Sequence, residues 1–200
     1  MLIEIAKTLS KSLINDPLMI ETCKNIDKKE RLLFMLFHEQ LKVMNKEKNL
    51  DIVCYKNNPK MILIGNDTNK YNRRKNNILY IKIGIFMLLR TDYKDLKLLL
   101  KNLKSIQSVS GVSWHKELVG KKYYDVKYIC IDEQLRHKGY FRKMMTPIIK
   151  SAKEANIPIV LETYNIQNVP KYEHLGFELV KTIACENKTD IKQYCLIKKP

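Results

Sequence analysis

The sequence predicts a single mixed α/β domain over residues 1–200, on three observations. Tyr128, Ile129, Cys130 and Ile131 form an apolar run of β type that leads into the turn Arg136-His137-Lys138-Gly139-Tyr140-Phe141. Out of the turn comes a stretch with Met144, Ile148, Ile149 and Ala152 at helical spacing, and then a second β-rich run over 157–163. Upstream, amphipathic helical stretches are interleaved with short β-rich runs. Two hundred residues suit one domain with a full core, and no internal repeat or Gly/Ser/Pro-rich linker divides them.

Taken in order, Leu2, Ile5, Ala6, Leu9 and Leu13 share a face, which predicts a helix over 2–14 that stops near Asn15-Asp16-Pro17. A second helix is expected from Asp27, as N-cap, through Leu32, Leu33, Met35, Leu36, Leu41 and Met44. Residues 51–55 and 60–64 flank Asn57-Asn58-Pro59 and read as a hairpin. The basic, aperiodic stretch 70–77 reads as an exposed loop. Residues 78–89 and 95–106 read as helices covering a sheet, the second well buried because leucines stand on most of its sides. Residues 109–120, which hold the one tryptophan, read as a loop or short turn before a strand over 123–132.

Bulk properties exclude several classes. With 45% apolar residues the chain is not disordered. Its net charge of +16 favours an anionic partner. Lysine, asparagine and isoleucine are enriched throughout, however, so most of the lysine is expected to be solvated surface and nucleic acid is disfavoured. Cys23, Cys54, Cys130, Cys185 and Cys195 are odd in number and lack a C-x-x-C pair, so reduced thiols are expected. His38, His137 and His174 show no ligand spacing, so no metal is expected. The start Met1-Leu2-Ile3-Glu4-Ile5 is not a signal peptide, and the apolar run 78–89 is interrupted by Lys82 and shorter than the about 20 residues a bilayer needs. A cytoplasmic protein without a membrane partner is the expectation. Gly120-Lys121 is no P-loop, because His115 stands where its first glycine belongs, and no Gly-x-Ser-x-Gly elbow occurs.

What remains is the turn. A loop opening into a helix N-terminus presents unpaired backbone N–H groups and the positive end of the helix dipole, and Gly139 allows a tight bend. Arg136, Lys138 and Arg142 add positive charge. The turn is an anion cradle, with a pyrophosphate as its predicted guest.

Strand, Arg-x-x-Gly-x, helix, strand, asparagine and then Tyr172-Glu173-His174-Leu175-Gly176-Phe177 follow one another in an order that resembles the GNAT acyltransferase superfamily. Leu161-Glu162-Thr163, Asn168-Val169-Pro170 before Tyr172-Glu173, and the closing Cys195-Leu196-Ile197-Lys198-Lys199-Pro200 are similar to the puromycin N-acetyltransferase group, as is Asn15-Asp16-Pro17. The match is good over 123–200 and holds in outline before that. The resemblance implies a GNAT fold: a central mixed, largely antiparallel sheet with a splayed strand pair, flanked by helices. It implies acetyl-CoA as cosubstrate and N-acetylation of a primary amine on a small molecule, by direct attack in a ternary complex.

The same resemblance distributes roles. The backbone of Arg136, His137, Lys138, Gly139, Tyr140 and Phe141 would hold the cofactor, helped by Asn168, while Asn165 suits a helix cap. Main-chain amides among Ile129, Cys130 and Ile131 would polarise the thioester carbonyl. Tyr172 would protonate the leaving thiolate, and the first two helices would line the acceptor pocket. Glu162 would bind or deprotonate the amine, unless it merely pairs with a lysine or a helix end; His115 is the other candidate base. The chain departs from the family at Phe141, where a small residue is usual, and at Glu133, where proline is. Phe141 either crowds the cofactor or turns into the core while its amide still serves; the second is expected. Two alternatives stand beside this reading: a non-catalytic acyl-CoA-binding module, and an acetyltransferase with a ribosome- or RNA-associated acceptor. A homodimer is compatible with the sequence, which assigns it no surface.

Overall fold

A computed structural model of the protein describes residues 1–48, 50–70, 73–110 and 112–200, with the backbone alone for 73–76, 116 and 189. Six strands, β1 (Asp51–Cys54), β2 (Met61–Asp67), β3 (Tyr124–Ile131), β4 (Ile159–Thr163), β5 (Glu178–Cys185) and β6 (Lys188–Lys198), form one sheet in the order β1-β2-β3-β4-β6-β5. Every neighbouring pair is antiparallel except β3 and β4, which run parallel. That parallel step needs a crossover connection, and α7 (Tyr140–Glu154) supplies it.

Helices cover both faces, which explains why β2 is buried along nearly its whole length. Ile62, Ile64 and Cys130 pack in one cluster with α1 (Leu2–Leu13), through Ile5, Ala6 and Leu9, and with α3 (Lys29–Lys46), through Leu33, Phe37 and Leu41. On the opposite face Leu63, Tyr124, Val126, Leu161 and Leu196 pack with Met144 and Met145 of α7 and Val169 of α8 (Val169–Glu173). The expected hairpin is present: β1 pairs with β2 across a 3-10 turn at Tyr55–Asn57.

Several expectations are corrected. A short helix, α2 (Pro17–Thr22), follows α1, started by the Asp16 carboxylate accepting from the Leu18 amide at 3.0 Å with Pro17 at its first position. Asp27 caps no helix among the described residues; it pairs with Lys94 at 3.2 Å, and α3 starts after Lys28 with no side-chain cap. The stretch 70–77 is helical from Arg73 onward, because α4 spans Arg73–Arg90; Tyr71 and Asn72 lie outside the described residues. α5 (Tyr93–Ser105) is not well buried: Asp95 alone is, while Leu100 and Leu103 stay exposed. It lies at the periphery, where Leu98 and Leu99 are the leucines that reach the core cluster. The expected loop at 109–120 contains a short helix, α6 (His115–Val119). The sequence reading gave no strands for β5 or β6. β5 is exposed along almost its whole length and so carries no alternation to read.

Gly65 marks a close approach between strands, since a Cβ there would overlap the ring of buried Tyr124. Gly65→Ala is expected to destabilise the protein by about 1–3 kcal/mol through overpacking. Thermal denaturation reads that as a drop of several degrees, and an unchanged midpoint would refute the contact.

Candidate functional site

The site begins where two parallel strands part. β3 and β4 pair only at Tyr124, Asp125 and Val126, opposite Ile159, Val160 and Leu161. At that point Ile64 faces Tyr128 while Gly65 faces Val126, so Lys127 is an extra residue on β3 and forms a bulge.

The bulge reverses the strand's alternation. Before it, the Tyr124 amide donates to Pro158 O at 2.9 Å, on the β4 side, and Val126 shares that orientation. Beyond it, the Asp132 amide donates to Lys60 O at 2.8 Å, on the β2 side, so the amides of Cys130 and Tyr128 point toward β2 as well. Those of Ile129 and Ile131 therefore point into the gap that β4 has left. Of the three residues named from sequence, Ile129 and Ile131 present amides to the gap and Cys130 does not. Side chains obey the same reversal: Tyr124, Val126, Ile129 and Ile131 lie on the α7 face, Tyr128 and Cys130 on the α1 and α3 face.

Just past the gap, the turn holds its shape through local bonds. The Asp132 carboxylate accepts from the Gln134 amide at 3.1 Å, and Arg136 Nε donates to Ile131 O at 3.2 Å, fixing the guanidinium against the end of β3. His137 at φ 62 and Gly139 at φ 72 both adopt the left-handed conformation. Gly139 is the N-cap of α7 and has no capping side chain; the first helical bond runs from the Lys143 amide to Gly139 O at 3.2 Å. Among the described residues, the amides of His137, Lys138, Gly139, Tyr140, Phe141 and Arg142 have no acceptor. Nor do Arg136, Lys138 or Arg142 pair with a carboxylate there. The result is a row of free donors at a helix N-terminus with three cations around it, which suits a diphosphate.

Two side chains of the turn face inward. Tyr140 packs against Tyr55 with ring centres 5.7 Å apart. Phe141 is half-buried in the α7-side cluster and meets Tyr172 edge to face at 5.6 Å. Tyr172 lies on α8 between Phe141 and Phe177, whose ring centre is 6.0 Å from its own. Burial pushes its phenol well above the ordinary range, and the Cys130 thiol and Asp16 carboxylate add to that push. Among the described residues its hydroxyl has no hydrogen-bond partner. Cys130 is held protonated, its thiol pushed up to about 12 by burial, and is therefore no nucleophile at neutral pH.

Glu162 stands near the end of β4, where its Oε2 accepts from Trp114 Nε1 at 3.1 Å and from Gln193 Nε2 at 2.5 Å. Among the described residues neither a lysine nor a helix end holds it. Burial pushes its carboxyl above the usual glutamate value, against the pull of the Trp114 hydrogen bond. The residue nonetheless keeps an exposed surface. Trp114 and Gln193 were not singled out from sequence. Gln193 reaches Glu162 only through the pairing of β4 with β6, which no local pattern announces.

His115 meets Trp114 edge to face and Tyr123 at a tilt, with ring centres 5.6 and 4.8 Å away. Asn165 caps the 3-10 turn Ile166–Asn168 by accepting from the Gln167 amide at 3.0 Å. Asn168 braces Thr163 at 3.3 Å and Lys171 at 2.9 Å, tying the end of β4 to α8. No group of three or more potential ligands poised for a metal ion occurs among the described residues, and no helix among them is long and apolar enough to cross a membrane.

No protein-family model matches the chain. A curated relative, an uncharacterized N-acetyltransferase of Schizosaccharomyces pombe, is 36% identical over 56 residues, which is 28% of this chain and 23% of that protein. The chain thus matches less than a quarter of that relative's length. Solved structures agree over nearly the whole chain. A histone acetyltransferase HPA2-related acetyltransferase from Corynebacterium glutamicum superposes with a TM-score of 0.62 at 16% identity, covering 98% of this chain and 89% of its own. Arylalkylamine N-acetyltransferase 2 of Aedes aegypti gives 0.60 at 13%, with coverages of 98% and 93%. An N-acetyltransferase of Staphylococcus aureus gives 0.57 at 14%, with 98% and 94%. The fold is that of the GNAT acetyltransferases.

Proposed function

We propose that this chain is a GNAT-type N-acetyltransferase, nearest in kind to the puromycin N-acetyltransferase group, that moves an acetyl group from acetyl-CoA to a primary amine on a small molecule. One observation carries the reading. The bulge at Lys127 turns the Ile129 and Ile131 amides into the β3–β4 gap, and the row of free amides from His137 to Arg142 begins just beyond it. A thioester anchored by its diphosphate in the turn would place its carbonyl in reach of the gap, where amide donors stabilise developing negative charge. Tyr172 would give its proton to the departing thiolate, since a phenol held above its ordinary pKa stays protonated at neutral pH. Glu162 would receive a proton from the amine. Holding both reactants together supplies much of the rate, and the protonated Cys130 argues against an acyl-enzyme route. The five free cysteines accord with a cytoplasmic setting.

The test is thiol release from acetyl-CoA across a panel of amines. Amine-dependent release supports the reading; calorimetric binding of CoA without turnover on any amine would favour a non-catalytic module instead.

Glu162 adds a pH signature. Its carboxyl is raised, and only the ionised form accepts a proton, so kcat/KM should fall as pH drops through a value above the ordinary glutamate range. Glu162→Gln should flatten that acidic limb and cost roughly 10- to 100-fold in rate. A limb of unchanged shape in the variant would remove Glu162 as the base. For stability the sign is opposite to that of a salt-bridged acid. A raised folded pKa means the unfolded chain ionises first, so the native protein loses stability relative to Glu162→Gln as pH rises from about 4.3 through the folded value.

A further inference from the structure

Gln193 is 0% exposed, and a glutamine so deeply placed ordinarily finds partners for both ends of its amide. This one has a single partner. Its Nε2 donates to Glu162 Oε2 at 2.5 Å, while its Oε1 has no donor among the described residues. Packing alone does not call for an amide here, since methionine is of similar length and would strand no acceptor. The sheet decides where the amide stands. β4 ends its pairing with Thr163 opposite Tyr194, so Gln193 lies one residue past that end, on the face of Cys195, which is opposite Glu162.

Trp114 Nε1 donates to the same carboxylate oxygen at 3.1 Å. Two donors on Oε2 hold the carboxylate in one orientation and leave Oε1 as its oxygen without a partner among the described residues. We propose that Gln193 is a positioning residue for the acyl transfer: with Trp114 it pins Oε2 of Glu162, so that the proton released by the amine nitrogen, as its bond to the acetyl carbon forms, is received at Oε1. The proposal rests on the reading of Glu162 as the base. When Oε1 carries the proton, Oε2 remains a carbonyl oxygen, so neither donor has to let go during the transfer. A bond from N–H to a charged carboxylate is also stronger than one to a neutral acid, so Gln193 favours the ionised form that can act.

The other groups around the carboxylate stay as they are when Gln193 is replaced. Asp125 and Lys127 of β3, paired at 2.7 Å, act on it in opposite directions. Burial pushes the Cys195 thiol up to about 12 and the Tyr164 phenol well above the ordinary tyrosine range, so both stay protonated at neutral pH. Lys181 of β5 is paired with Glu117 of α6 at 3.9 Å, and His115 of α6 packs on Trp114.

Gln193→Met removes the donor at nearly equal length. Infrared difference spectra of the full chain, titrated over pH, report the protonated Glu162 carboxyl as the band that Glu162→Gln abolishes, without reference to turnover. The midpoint of that band should rise by roughly one unit in Gln193→Met, and the acidic limb of kcat/KM should rise with it. Turnover above the limb should fall roughly tenfold as the base loses its fixed orientation. In a Glu162→Gln background the same exchange should cost less than about twofold, because a residue that acts through Glu162 is then already disconnected. Circular dichroism checks the fold of each variant, and Gln193→Leu, smaller and equally apolar, stands in where methionine is not accommodated. An unmoved midpoint overturns the proposal. So does a cost that repeats in full in the Glu162→Gln background, the mark of a structural role. An acidic limb that survives Glu162→Gln removes the base and the proposal with it; a midpoint still raised by Gln193→Met tells that failure from a failure of the hold.

Discussion

Tyr172→Phe is expected to lower turnover by roughly 10²- to 10³-fold while leaving CoA affinity within about twofold, the range a positioned proton donor contributes. The change removes one oxygen and leaves the ring in place between Phe141 and Phe177, so its packing survives. Because no hydrogen bond to the hydroxyl is formed among the described residues, no buried partner is stranded by its removal. The rate loss would thus measure the proton alone. A phenol raised well above 10 stays protonated through the neutral range, so Tyr172 should add no basic limb below about pH 10. Steady-state kinetics and calorimetry on the same preparation decide the matter. Losses of equal size in kcat and CoA affinity would make Tyr172 a packing residue and leave the acid unassigned.

The same region shows what the sequence could carry and what it could not. The turn was legible because its chemistry is local: Gly139 adopts the left-handed conformation that glycine favours, and Met144 and Ala152 take the buried positions their spacing predicts. Phe141 was also readable in outline, since its ring joins the α7-side cluster, where it leans on Tyr172. The bulge at Lys127 was not. From 124 to 131 the residues look like an ordinary strand, and nothing local says which one drops out of register. Without the bulge the open amides would be those of Tyr128 and Cys130; with it they are those of Ile129 and Ile131. One unpaired residue thus decides whether Ile129 and Ile131, or Cys130 alone, of the set named from sequence face the gap. The cradle of Glu162 fails to announce itself for another reason. Trp114 lies 48 residues upstream and Gln193 31 downstream, and they meet only because the sheet brings them together. α5 is the reverse case, since its leucines promised burial by composition. A peripheral helix needs only one stripe against its neighbours, so Leu100 and Leu103 stay in solvent.

Replacing Gly139 tests the other half of the site. The residue sits at φ 72, which proline cannot approach because its ring fixes φ near −65°. Gly139→Pro would remove one amide donor, force Lys138 out of its present conformation and re-aim the first turn of α7. Loss of two charge-assisted hydrogen bonds, at about 1.5 kcal/mol or more each, amounts to roughly a 100-fold loss of CoA affinity. The turn is exposed from Arg136 to Gly139, so the core should survive with little change in the denaturation midpoint. Gly139→Ala is the graded control. Its Cβ meets nothing within 4 Å, so the left-handed backbone is the whole cost, about 1–2 kcal/mol, and roughly a tenfold loss follows. A series in which glycine, alanine and proline bind CoA alike would show that the amides of this turn do not hold the diphosphate. A series that falls in that order while Tyr172→Phe still binds would separate the grip on the cofactor from the chemistry performed on it.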